Sequence, residues 1–184
     1  VLLGSLAGIF LSRAQSDKAI SMIISLIIVS LVVALLKSQF FSTWERPLTV
    51  FENGPDFIFI GLKDLRYNSF PSGHSAAIAV LCVWLAWIGA EKRWQQVLWS
   101  ILGIAVCYSR TYIGVHFPAD ILVGSILAVL IFVVTLLWIF PAIQKGYSSQ
   151  SSAGQKRTDL ITLIIMIFLF VGDIWRLYTT LYQA

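Results

Sequence analysis

Uncharged apolar runs alternate with short polar clusters along this chain. Residues 19–36, 75–90, 94–109 and 121–140 contain no Asp, Glu, Lys or Arg. A membrane-crossing helix needs about 20 mainly apolar residues. Each run, extended where needed by its polar ends, therefore predicts a spanning helix. Residues 160–182 are long enough as well, although they carry Asp173 and Arg176, three apart on one helical face and able to pair near the helix end. Residues 1–11 form a shorter apolar run, read as the remainder of a longer helix whose upstream part is missing. The pattern thus predicts an all-α, polytopic transmembrane helix bundle of about six segments, the first one truncated. Residues 1–140 make up the bundle, 141–159 a linker and 160–184 an additional C-terminal helix. Within the linker, 146–154 reads as flexible from its Gly and Ser content.

Composition supports this reading. Hydrophobic residues make up 58% of the chain and charged residues 12%, with a mean hydropathy of +0.85. Soluble domains carry about 25% charged residues, so the surplus apolar surface needs a lipid bilayer to cover it. The net charge of +4 is not gathered into a basic stripe with interleaved aromatics, which argues against nucleic acid as a partner. The charge follows topology instead. Alternating segments put 12–18, 91–93 and 141–159 on one side, with Arg13, Lys18, Lys92, Arg93, Lys145, Lys156 and Arg157. Short loops rich in Lys and Arg stay in the cytoplasm. The polar clusters at 37–74 and 110–120 then face the other way, at the periplasmic side of a bacterial inner membrane.

Several features have ordinary explanations. Trp44, Trp94, Trp138 and Trp175 lie near segment ends, as an interfacial aromatic belt would. Cys82 and Cys107 fall in apolar runs, lack metal-ligand spacing and read as small hydrophobes. Gly4 and Gly8 match a helix-packing GxxxG. The apolar stretch 57–62, inside the long loop 48–69, is expected to dip into the interface and orient a lipid tail.

The polar clusters carry the chemistry. The only two histidines are His74 and His116. Pro71-Ser72-Gly73-His74 precedes a helix, so Ser72, Gly73 and His74 can turn backbone N–H groups towards an anion with the helix dipole behind them. Ser72 adds a hydroxyl donor, and His74 can protonate a leaving oxygen. Taken alone, the tetrapeptide serves equally well as a helix cap. Residues 109–120 are more pointed. Pro118 suits the first turn of a helix, and Asp120 lies four residues beyond His116. That carboxylate can accept from one imidazole nitrogen, fix the tautomer and leave the other lone pair free to attack. Arg110 offers a planar fork for phosphoryl oxygens. Topology puts Arg46 and Lys37 on the same side. No third histidine exists to complete a multi-His metal site, so no metal or other cofactor is expected and phosphoryl transfer fits best.

These clusters resemble the signature of the type-2 phosphatidic acid phosphatase superfamily, which also contains glucose-6-phosphatases and vanadium haloperoxidases. The pattern is Lys-x6-Arg-Pro, Pro-Ser-Gly-His and Ser-Arg-x5-His-x3-Asp. The second and third parts match fully, at 71–74 and 109–120. The first departs from it: eight residues separate Lys37 from Arg46, and Gln39 stands where the pattern has lysine. The resemblance covers residues 20–140. It implies that His116 is the nucleophile forming a phosphohistidine, oriented by Asp120, with His74 the acid and then the base. It further implies that Arg46, Arg110, Ser72, Gly73 and, if its shifted spacing allows, Lys37 hold the phosphoryl oxygens, without a metal. The expected activity is metal-independent hydrolysis of a membrane lipid phosphate or diphosphate, of the phosphatidic acid, phosphatidylglycerol phosphate or undecaprenyl diphosphate type. A lipid-to-lipid phosphotransferase is the near alternative. A non-catalytic phospholipid-binding or transport protein is the rival of another class, and it would need the cations but not both histidines and Asp120.

Overall fold

The computed structural model describes residues 15–51, 66–88 and 92–182, and all regular structure among them is helical. In chain order the elements are α1 (Ser16–Gln39), α2 (Pro47–Val50), α3 (Gly73–Ile88), α4 (Arg93–Tyr112), α5 (Pro118–Val134), a π-helical turn (Thr135–Ile139), α6 (Phe140–Ser148) and α7 (Ser152–Tyr182). Two stretches, Ser16–Gln39 and the continuous Pro118–Ser148, are long and apolar enough to cross a membrane, and Gly73–Ile88 is apolar but shorter. The expected segment 1–11 with Gly4 and Gly8, Arg13 and the stretch 57–62 lie outside the described residues. So do Glu91 and the side chains of Asp173 and Arg176.

Local chemistry sets the helix ends. α1 opens with Asp17 in its first turn and closes with Lys37 in its last, each charge opposing the dipole end it sits on. Ser72 caps α3: its hydroxyl oxygen accepts from the Ser75 amide at 3.3 Å. α5 begins at Pro118, where the missing N–H costs nothing. Asp120 in that first turn reaches back to accept from the Phe117 amide at 2.9 Å, one half of a capping box.

The chain divides into two compact units, one of residues 25–133 and one of residues 1–24 with 134–184. In the first, Val29, Val33, Ala76, Val80, Trp84, Ala128 and Phe132 are buried. Trp84 is fully enclosed, edge-on to Phe132 at 5.1 Å and Trp87 at 5.6 Å. Its indole N–H donates to Ser25 Oγ at 2.8 Å, so the ring's polar atom is satisfied where no water reaches. The opposite faces of these helices are apolar too. Ile101, Ile104, Leu122 and Leu130 are all more than half exposed, a surface that water would penalise and lipid covers. Trp44, Trp94, Trp138 and Trp175 are 49, 60, 69 and 67% exposed, as side chains of an interfacial belt would be.

The second unit corrects one expectation. Residues 146–154 are not a flexible linker, because helix runs to Ser148 and resumes at Ser152. Side chains satisfy the freed backbone groups. Ser148 and Ser149 hydroxyls donate to Lys145 and Gly146 carbonyls at 3.1 and 2.9 Å. Tyr147 donates to Asp159 Oδ1 at 2.7 Å and pins the two helices together. Composition favoured flexibility, but serines that bond to the helix's own backbone produce a tight corner instead. The π turn also has a local cause. Pro141 lacks an N–H and its ring crowds the carbonyl four residues back. The turn before it widens, with the Phe140 amide bonding Thr135 O.

Candidate functional site

Every functional side chain singled out from sequence lies in the unit of residues 25–133. The site is built from the end of α1, the start of α3, the end of α4 and the start of α5, with main-chain bonds joining the starts of α3 and α5 and closing the turn after α4. The Ser72 amide donates to Asp120 O at 3.0 Å, and the Val115 and His116 amides both fold back onto Arg110 O, at 3.1 and 3.3 Å. Gly114 takes a positive φ of 70°, a turn open to glycine at little cost, and its carbonyl accepts from the Leu48 amide at 3.3 Å. α3 and α5 meet closely. A Cβ added at Gly124 would stand 2.6 Å from Ser72 O.

His116 and Asp120 form the centre. Both are nearly sealed, at 2% and 1% exposure. His116 Nδ1 stands 3.5 Å from Asp120 Oδ2 and also 3.5 Å from Ser69 Oγ. Ser69 donates a short hydrogen bond to the same carboxylate oxygen. With Nδ1 facing a carboxylate, the proton belongs on Nδ1, and Nε2 keeps its lone pair. Burial holds the His116 pKa below the ordinary 6.5; Asp120 opposes that shift, while Arg46 and Lys37 add to it. The imidazole is therefore neutral, and nucleophilic, at neutral pH.

Around this pair the cations divide by role. Arg46 is buried and spends three donors on loop carbonyls: Nε on Tyr67 O at 2.8 Å, Nη1 on Val115 O at 3.2 Å and Nη2 on Asn68 O at 3.2 Å. A guanidinium has five N–H groups, which leaves two without a partner among the described residues. Lys37 Nζ donates to Asn68 O at 2.7 Å. The shifted lysine thus converges on the same carbonyl as Arg46, while Gln39 is exposed. Asn68 sits at φ 61°, an αL conformation that asparagine tolerates better than most residues. Arg110, in the last turn of α4, has its Nε buried with no hydrogen-bond partner among the described residues.

His74 is exposed at the start of α3 and lies within the electrostatic reach of Arg110, His116 and Lys37. Gly73 and His74 also carry amides that no earlier helical turn can accept. Ser72 differs from the expectation. Its hydroxyl is fully buried and shared between the Ser75 amide and the Ser75 hydroxyl, 2.9 Å away, so its contribution is to cap the helix that aims those amides. The sequence pattern missed Ser69, two residues before the Pro-Ser-Gly-His cluster. A buried carboxylate demands hydrogen-bond donors, and a serine two residues before the Pro-Ser-Gly-His cluster was the available signal.

Below this end, α3, α4 and α5 enclose an apolar cleft of about 740 Å³, lined by Ala79, Cys82, Gly103, Cys107, Thr111 and Leu122 among others. Thr111 follows Arg110 directly, and Pro118, also in the lining, lies two residues past His116. The cleft lining thus includes residues adjacent in sequence to Arg110 and close in sequence to His116.

The crystal structure of Aquifex aeolicus LpxE superimposes with a TM-score of 0.57 at 26% identity, over 72% of this chain and 74% of that one. A lipid A 4'-phosphatase of Porphyromonas gingivalis is 31% identical over 124 residues, 62% of this chain and 50% of its own length. An undecaprenyl-diphosphatase of Sulfolobus acidocaldarius is 37% identical over 59 residues, 32% of this chain and 28% of its own. The chain thus spans half or less of the length of these two relatives. The family model described as the PAP2 superfamily matches residues 18–144, which include all three polar clusters, and the chain belongs to that superfamily.

Proposed function

We propose that this membrane protein removes phosphate from a lipid phosphate or diphosphate through a phosphohistidine on His116, on the extra-cytoplasmic face. The observation that carries the reading is the held imidazole: Nδ1 is turned onto Asp120 and Ser69, while Arg110 Nε waits buried and unpaired among the described residues nearby. Binding alone would need the cations but not this alignment. The apolar cleft beneath the site suits the hydrocarbon tail, and the cations suit the headgroup.

The steps follow from the groups. Nε2 of neutral His116 donates its lone pair to phosphorus as the bond to the leaving oxygen breaks. His74, which holds its proton while the anionic phosphate lies beside it, gives that oxygen its proton. Arg110, the two spare N–H groups of Arg46, Lys37 and the first amides of α3 hold the non-bridging oxygens, whose charge rises in a loose transition state. His74, now neutral, takes a proton from water. The resulting hydroxide displaces His116 and yields inorganic phosphate.

Phosphate release by purified protein in detergent, over a panel of phosphatidic acid, phosphatidylglycerol phosphate and undecaprenyl diphosphate, tests this. At least one lipid should be hydrolysed in excess EDTA. His116→Ala and His74→Ala should each lose about 10²–10⁴-fold. The acidic limb of kcat/KM should fall below pH 6.5, because burial favours neutral His116. Full loss with chelator, restored by a divalent ion, would overturn the metal-free route. Phosphate appearing on an added lipid alcohol instead of in solution would identify a transferase.

A further inference from the structure

The hydroxyl of Ser69 lies outside the family pattern, yet it touches both members of the central pair. Its oxygen is within 3.5 Å of His116 Nδ1, and its proton goes to Asp120 Oδ2. That carboxylate oxygen also accepts the Phe117 amide at 2.9 Å. One oxygen of Asp120 thus receives a serine, a main-chain amide and, at longer range, the imidazole.

The placement of Ser69 follows from backbone and packing. Its amide donates to Trp44 O at 3.1 Å. The next residue, Phe70, packs its ring against Phe41 at 4.6 Å and Trp44 at 5.5 Å, and Phe41 and Trp44 themselves meet edge to face at 5.6 Å. On the other side, Arg46 grips the carbonyls of Tyr67 and Asn68. The segment is held before and after Ser69, and the residue itself is fully buried. Its hydroxyl has little freedom to turn elsewhere.

We infer that Ser69 is a positioning residue of the reaction, which bridges Asp120 and His116 so that the imidazole keeps its proton on Nδ1 and its lone pair on Nε2. At 3.5 Å the Asp120–His116 contact is longer than a good charge-assisted hydrogen bond. Ser69 Oγ, at the same 3.5 Å, offers Nδ1–H a second acceptor, and its own short bond to Oδ2 ties the two acceptors together. It also neutralises part of the Asp120 charge, so the carboxylate draws less strongly on the imidazole and the neutral nucleophile stays available. The inference rests on His116 being the nucleophile, as proposed above.

The test is Ser69→Ala in the full chain, read against wild type and His116→Ala. Alanine removes one oxygen and adds no bulk. A lost hydrogen bond to a charged group should lower kcat roughly ten- to hundredfold, with KM for the lipid changed less than about twofold, since Ser69 holds no substrate atom. With one donor gone, Asp120 attracts the imidazolium more strongly, so the acidic limb of the pH profile should move to higher pH. A purely structural role would lower activity and leave that limb in place. Ser69→Cys, close in size but a weak donor, should fall between serine and alanine. Ser69→Ala with kcat within twofold of wild type, or with reduced kcat and an unmoved limb, overturns the inference, as does a fully active Ser69→Cys. If instead His116→Ala is as active as wild type, the nucleophile assignment is what fails.

Discussion

At the residue scale, two arginines that a sequence pattern treats alike do different work. Arg46 ties three loop carbonyls together, one of them on Val115 beside His116. Arg110 leaves its buried Nε unpaired among the described residues. Hydrogen bonds from a charged group contribute about 1.5–3 kcal/mol each. Arg46→Ala should therefore lower both Tm and activity, and Arg46→Lys should not rescue it, because one ammonium cannot match three directions. Arg110→Ala should lose activity with Tm unchanged within a few degrees. Thermal unfolding in detergent beside phosphate release checks the division, and an Arg46→Ala protein with wild-type Tm would refute it. Lys37 was ambiguous from spacing. Its bond to Asn68 O puts the ammonium on the carbonyl that Arg46 also binds, even though it lies two residues early.

At the element scale, the two histidine-bearing segments keep their relative position through the contact of α3 with α5. At Gly124 a Cβ would press on Ser72 O at 2.6 Å. Alanine in a helix interior gains about 1 kcal/mol over glycine, whereas overpacking costs about 1–3 kcal/mol. The backbone of Ser72 is itself bonded to Asp120, so the clash cannot relax cheaply. Gly124→Ala is expected to lower Tm and cut kcat at least tenfold by displacing His74 from His116. A more stable and fully active variant would show that the helices can part freely. The helices bearing these motifs were readable from apolar runs, because burial and lipid exposure both demand apolar residues. The corner at 149–151 was not, since Gly and Ser content reports backbone freedom and is blind to serine hydroxyls folding back on carbonyls. Ser69 was missed for a similar reason: its partner, Asp120, is 51 residues away, and no local spacing encodes that bond.

At the scale of the whole molecule, a cationic end and an apolar cleft share one unit, which on the proposed reading gives a lipid phosphate one place for each of its two parts. The cleft contains both cysteines, and Cys107 is partly exposed. In a Cys82→Ser, His116→Ala background, which binds substrate without turning it over, a long-chain lipid phosphate should slow maleimide labelling of Cys107 severalfold. Inorganic phosphate at the same concentration should not. Equal protection by both would mean that the cleft closes on phosphate binding without holding a tail.

The carbonyl of Asn68 has a consequence for how such sites are recognised across sequences. Lys37 and Arg46 both bond to that one oxygen, which is a main-chain atom and available whatever residue stands there. The lysine is therefore placed by a point on a loop, and the count of residues separating it from the arginine is free to drift as long as its ammonium reaches that point. An interval fixed at six residues misses the lysine of this first cluster. A motif defined by which oxygen two cations share would find it.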